Sequence, residues 1–111
     1  LDNWISKETQ IHKPEISDYI KNMITSHDPY GYIANCDALK NLNYFDRLKE
    51  IRVPVLYIGG SEDFVAPPSV MQKMSLQTSY SEYIKIQGGF HLLNIDKTIE
   101  FNNRISKFLA L

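Results

Sequence analysis

The spacing of apolar residues changes character once along this chain, near Arg52. Before it, the spacing is helical. Ile16, Tyr19, Ile20, Met23 and Ile24 fall at i, i+3, i+4, i+7 and i+8, one face of a helix that Pro14 opens. His27 and Asp28 interrupt that face. Asp28 is placed to cap a second helix with Pro29 in its first turn, and Ile33, Cys36 and Leu39 continue an apolar stripe along it. A short helix over residues 45–50 carries Phe45 and Leu48 on one side.

Beyond Arg52, residues 53–58 are almost continuously apolar and rich in β-formers. An unbroken apolar run, as opposed to alternation, suits a strand covered on both faces, as in a parallel sheet. Pro54 is acceptable near the start of such a strand, where no ladder donor is needed. Gly59 and Gly60 end the strand, and Ser61, Glu62 and Asp63 form a polar loop. Pro67 and Pro68 open a helix with Val70, Met71 and Met74 on its buried side. Residues 83–86 read as a second strand, ended by Gly88 and Gly89, with Phe90 and His91 next. Asp96 is expected to cap a final helix bearing Ile99, Phe101, Ile105, Phe108 and Leu109.

The order strand, polar loop, helix, strand, polar loop, helix predicts α/β architecture with parallel strands. Functional groups in such sheets gather past the carboxyl ends of the strands. Asp63 and His91 both stand there, so two residues far apart in sequence are expected to meet at one edge. The pair has a defined chemistry. A carboxylate that accepts from Nδ1 fixes the imidazole tautomer, which leaves Nε2 to take a proton from a serine or cysteine. The competing readings are a loop aspartate capping nearby amides and a histidine that is partly buried or at a helix start.

Composition narrows the field further. The 111 residues, 43% hydrophobic and 23% charged, suit one packed domain or a piece of one. Twelve basic and 13 acidic residues are spread along the chain for a net charge of −1, which is not the pattern of a nucleic-acid or membrane binder. No apolar run approaches the roughly 20 residues of a membrane span. Cys36 is the single cysteine, so no internal disulfide forms, and a reducing, cytoplasmic setting is expected. His12, His27 and Cys36 lack metal-ligand spacing, and the two glycine pairs do not form a phosphate cradle. Trp4, Tyr19, Tyr30 and Tyr32 are either lid-pocket aromatics or ordinary helix packing. Arg47, Lys49 and Arg52 read as a solvated face from which an anionic substrate could borrow a cation.

Residues 51–63, with the pattern I-x-x-P-x-L-x-I-x-G-x-x-D and Pro67-Pro68 after it, resemble the strand and acid loop of α/β-hydrolases. Gly88-Gly89-Phe90-His91 is similar to the histidine loop of the same superfamily. The resemblance covers about residues 44–111 and implies that Asp63 is the acid and His91 the histidine of a catalytic triad. More narrowly, residues 28–39, with Gly31, Tyr32, Cys36, Ala38 and Leu39, resemble the lid helix of 3-oxoadipate enol-lactonases, and His91-Leu92-Leu93-Asn94-Ile95 is similar to the run after their catalytic histidine. That likeness implies a small carboxylate-bearing lactone or ester as substrate, water as the ring-opening reagent and no cofactor. Trp4, Tyr32 and Phe64 are then the expected substrate-binding side chains.

The departure from the family is the nucleophile. No serine stands in a G-x-S-x-G context, and Cys36 lacks flanking glycines, which leaves it as a small core or lid residue. The order nucleophile, acid, histidine fits a chain without its beginning, as does an opening Leu1 in place of Met. The expected organisation is a C-terminal fragment of an α/β-hydrolase fold: a helical lid segment over residues 1–43, then two parallel strands and flanking helices over residues 44–111. Alone, such a piece is expected to be inactive and to form a homo-oligomer through an exposed apolar strand edge. The alternative is a truncated, non-enzymatic hydrolase serving as an interaction module.

Overall fold

The computed structural model describes residues 1–110. Helices α1 (Lys7–His12), α2 (Pro14–Thr25) and α3 (Pro29–Lys40) come first, followed by a 3-10 helix, Phe45–Glu50. Then come β1 (Val55–Gly60), α4 (Pro68–Gln77), β2 (Ser81–Ile86), α5 (Leu93–Asp96) and α6 (Thr98–Leu109). The two strands pair in parallel, from Val55 opposite Ser81 to Gly60 opposite Ile86. Helix α4 is the crossover between them and packs on both. Parallel pairing needs such a crossover, because a tight turn can join only antiparallel neighbours.

Both strands are shifted from their expected bounds. The first begins at Val55, because Pro54 has no N–H to give and Val55 N is the first donor, reaching Tyr80 O at 2.8 Å. The second begins at Ser81, whose hydroxyl bonds back to the carbonyl of Ser75 at the end of α4. Gly59 and Gly60 do not end β1 but complete it. The reason lies at Gly60. A Cβ there would run into the carbonyl oxygen of Gly89, so the acid loop and the histidine loop touch backbone to backbone. Gly88 takes a left-handed φ of 64°, which turns the chain out of β2.

Side chains cap two helix starts, the expected one at Asp28 and one at Ser6 that the sequence did not single out. The Asp28 carboxylate accepts from Tyr30 N and Gly31 N, and Ser6 caps α1 by accepting from Thr9 N. The expected cap of α6 is absent. Lys97 occupies that position without a side-chain cap bond, and Asp96 is turned elsewhere. Burial is also patchier than the apolar stripes imply. Ile5, Ile20, Tyr57, Ile86 and Leu93 form the buried apolar core. Ile20 is the one stripe residue of α2 that is fully covered, while Tyr19, Met23 and Ile24 are exposed. Helix α3 buries nothing, so Ile33, Cys36 and Leu39 face outward and Cys36 is not a core residue. Val70, Ile99 and Leu109 are likewise exposed. Val55, Leu56 and Ile58 are half-buried, not sealed on both faces. Together with Phe101, Ile105 and Phe108 they line an open apolar groove of about 430 Å³ between β1 and α6.

Because Gly60 meets backbone, its replacement is expected to be the less forgiving of two matched changes. Gly60→Ala should lower stability by about 1–3 kcal/mol or more, as overpacked sites do. Gly89→Ala meets the far end of the Leu93 side chain, which can rotate, and should lose less. Urea unfolding of the two variants checks the order.

Candidate active site

The two strand ends deliver their loops side by side. Ser61 N donates to Ile86 O at 2.9 Å, Glu62 N to Gly89 O at 3.0 Å, and Gly88 N to the Ser61 hydroxyl at 2.8 Å. These cross-loop bonds fix the acid loop against the histidine loop before either functional side chain is considered. Ser61 had no signal in the sequence beyond its place in a polar loop; its role exists only once the strands pair.

Asp63 divides its two oxygens between a local turn and the imidazole. Its Oδ1 accepts from Val65 N at 2.8 Å and Ala66 N at 2.9 Å, a local turn. Its Oδ2 lies 3.0 Å from Nδ1 of His91. Only 7% of Asp63 is exposed, against a third of the His91 side chain. Burial works against the charged carboxylate, but the Ala66 N–H, His91 and the Val65 N–H outweigh it and hold Asp63 below the usual aspartate range. An ionised carboxylate can only accept, so Nδ1 carries the proton and donates it. No hydrogen-bond partner among the described residues takes Nε2, which leaves that nitrogen free for chemistry.

The expected substrate-binding residues separate. Trp4 stands edge-on to His91, with ring centroids 6.3 Å apart. Its carbonyl accepts from Leu92 N at 2.8 Å, so the N-terminal segment is pinned to the residue after the histidine. Tyr32 projects from α3 with 66% exposure, and no hydrogen bond or ring contact joins it to His91 among the described residues. Phe64 follows Asp63 directly but is 71% exposed, turned to solvent by the Asp63 turn.

Asp96 is the residue that sequence reasoning misplaced. Its Oδ1 accepts from Ser6 N at 3.1 Å, the Ser6 hydroxyl at 2.6 Å and the Thr9 hydroxyl at 2.6 Å. Its Oδ2 accepts from Phe90 N at 3.3 Å. Burial opposes its charge, yet the hydroxyls of Ser6 and Thr9 and the backbone N–H groups of Ser6 and Phe90 prevail and keep its carboxyl below the ordinary range. Its partners are up to 90 positions away, so no local pattern could reveal them.

Both carboxyls have folded-state values depressed from an unfolded value near 3.9. Each therefore contributes stability that is present above that unfolded value and is lost as pH falls through the folded one. Urea unfolding should show stability falling progressively below about pH 5. Asp63→Asn and Asp96→Asn should each flatten that slope, and parallel slopes for parent and variants would contradict the assignment of these bonds.

Comparison with known proteins agrees with this architecture. No family model matches the chain. It is 33% identical over 72 residues to RutD of Rhizobium rhizogenes, assigned as a carbamate hydrolase; the match takes in 65% of this chain and 28% of that protein. It is 25% identical over 92 residues to 3-oxoadipate enol-lactonase 2 of Acinetobacter baylyi, across 83% of this chain and 34% of that one. The crystal structure of the enol-lactonase from Burkholderia xenovorans superimposes with a TM-score of 0.93 at 23% identity, covering 98% of this chain and 42% of that chain. The chain thus spans about a third of the length of the curated relatives it matches. With two parallel strands, a crossover helix and loops at one edge in common with such enzymes, the chain has the fold of the C-terminal portion of an α/β-hydrolase, and its relatives are hydrolases.

Proposed function

We propose that this chain supplies the acid and the histidine, Asp63 and His91, of a Ser-Asp-His triad in a carboxylic ester or lactone hydrolase. One observation carries the reading: a buried, ionised carboxylate accepts from Nδ1 of a half-exposed imidazole whose Nε2 has no partner among the described residues. In that arrangement Nε2 takes the proton of a serine hydroxyl as it attacks the carbonyl, and Asp63 stabilises the imidazolium that forms. Returning that proton to the leaving oxygen completes acyl transfer, and water repeats the cycle. The serine and the groups that hold the developing oxyanion come from outside the 111 residues, whose nine serines all lack the G-x-S-x-G setting.

The substrate class follows from likeness. The relative named 3-oxoadipate enol-lactonase supports a small lactone or ester as substrate; that it bears a carboxylate and is opened by water without a cofactor is part of the proposal. Trp4, whose indole edge faces the imidazole, is the best-placed wall for its apolar part. Tyr32 and Phe64 join the pocket only if another segment folds over them, since both are exposed here. Residues 1–43 would serve as a helical lid and residues 44–111 as part of the core. The bonds from Ser6 and Thr9 to Asp96 cross that division, so the lid is anchored at its own start. No described helix is long and apolar enough to cross a membrane. The single thiol, Cys36, is exposed and free, which supports a reducing cytoplasm as its setting.

Alone, the chain should give no turnover of p-nitrophenyl esters or of an enol-lactone. Joined to a segment that provides the nucleophile, it should hydrolyse them, and His91→Ala should then reduce kcat by several orders of magnitude. Retained rates in that variant would end the triad reading. The free outer edge of β1 and the open groove beside it also favour pairing between copies. Sedimentation of the chain alone should show a concentration-dependent dimer or larger species, and a monomer at high concentration would exclude it.

A further inference from the structure

We infer that Asp96 is a positioning residue for His91, acting through both walls that flank the imidazole. The inference rests on the acid–histidine reading above and deepens it. The two oxygens of Asp96 divide their work. Oδ1 gathers the Ser6 N–H and the hydroxyls of Ser6 and Thr9, which holds the N-terminal segment down. Oδ2 accepts from Phe90 N, the peptide immediately before His91. Between these anchors stand Trp4, whose carbonyl takes Leu92 N and whose ring meets the imidazole edge-on, and His91 itself. The segment from Phe90 to Leu92 is therefore tied on both sides of the histidine, once to Asp96 and once to Trp4, and Asp96 secures the piece of chain that carries Trp4.

The physical need is clear from the surroundings. Gly88 and Gly89 leave the histidine loop with little intrinsic stiffness, and His91 sits between β2 and a helix of only four residues, Leu93–Asp96. A ring that must keep one nitrogen on Asp63 and the other toward a substrate tolerates little drift. A carboxylate with four donors is a rigid bracket, since hydrogen bonds to a charged group are among the stronger ones. Ser6, buried with Thr9, brings the donors from the opposite end of the chain.

The test uses the isotope-labelled 111-residue chain and two proton NMR signals. One is the downfield resonance of the His91 Nδ1 proton held by Asp63; the other is the nuclear Overhauser contact between the Trp4 and His91 rings. Asp96→Ala should abolish both while circular dichroism stays unchanged. Asp96→Asn separates the arms: its carbonyl can still serve Ser6 and Thr9, but its amide opposes Phe90 N donor to donor. That variant should keep the Trp4 contact and lose the Nδ1 resonance. If Asp96→Ala unfolds, the isosteric Asp96→Asn carries the decision. Asp63→Asn is the control. A resonance that Asp63→Asn removes but Asp96→Asn leaves intact overturns the positioning role alone. A resonance that Asp63→Asn fails to move does not report the pair, and overturns the acid–histidine reading together with this inference.

Discussion

Parallel pairing of residues 55–60 with 81–86 is the constraint on which the rest depends. Two strands that run the same way must both release their chain at the same edge, and the crossover through α4 makes that possible. At that edge Gly60 and Gly89 meet without side chains, and backbone bonds from Ser61 and Glu62 lock one loop to the other. Asp63 and His91, 28 positions apart, then fall within hydrogen-bond distance as a consequence of geometry already set by the backbone. Nothing in the side-chain pair itself would be strong enough to bring the strands together, since an acid–histidine contact with a partly exposed imidazole is worth little beside a six-residue ladder.

The electrostatics are economical. Asp63 is buried and Asp96 half-buried, and hydrogen-bond donors in place of lost water favour the charged form of both. The two differ in what they hold. Asp63 divides its oxygens between a local turn and the imidazole, so its orientation is set by the same loop that delivers it. Asp96 reaches across the molecule to Ser6 and Thr9, and so links the first turn of the chain to the loop that bears the histidine. Carboxylates close to one functional group thus act on it in two ways, one by direct contact and the other through the backbone.

The surface has a contrasting character. Helix α3 buries none of its residues, and α2 buries little of its apolar face beyond Ile20. The groove between β1 and α6 is apolar and open. Exposed apolar area of this extent is unusual for a monomeric domain, and it is the kind of surface that further protein covers. This chain spans about a third of the length of the curated relatives it matches.

The apolar run before Gly59, the helical stripe after Pro14 and the polar residues past each strand were enough to determine the order of the main elements and the parallel α/β class, and to single out Asp63 and His91 as the pair that the strand ends bring together, because each depends on local periodicity or on a short motif. The Asp28 cap was legible for the same reason, since the N–H groups that donate to it lie two and three residues on. The strand ends were not, because whether Gly60 belongs to β1 is decided by how closely Gly89 approaches it. Nor was the true role of Asp96, which looked like a helix cap and became a bracket only when Ser6 and Thr9 arrived from the far end of the chain. Which apolar stripes are buried was likewise beyond the sequence: Ile20 and Ile33 sit in similar patterns, and tertiary packing covers the first while leaving the second in solvent. Local pattern fixes what each segment can become; only the folded chain decides which distant groups satisfy it.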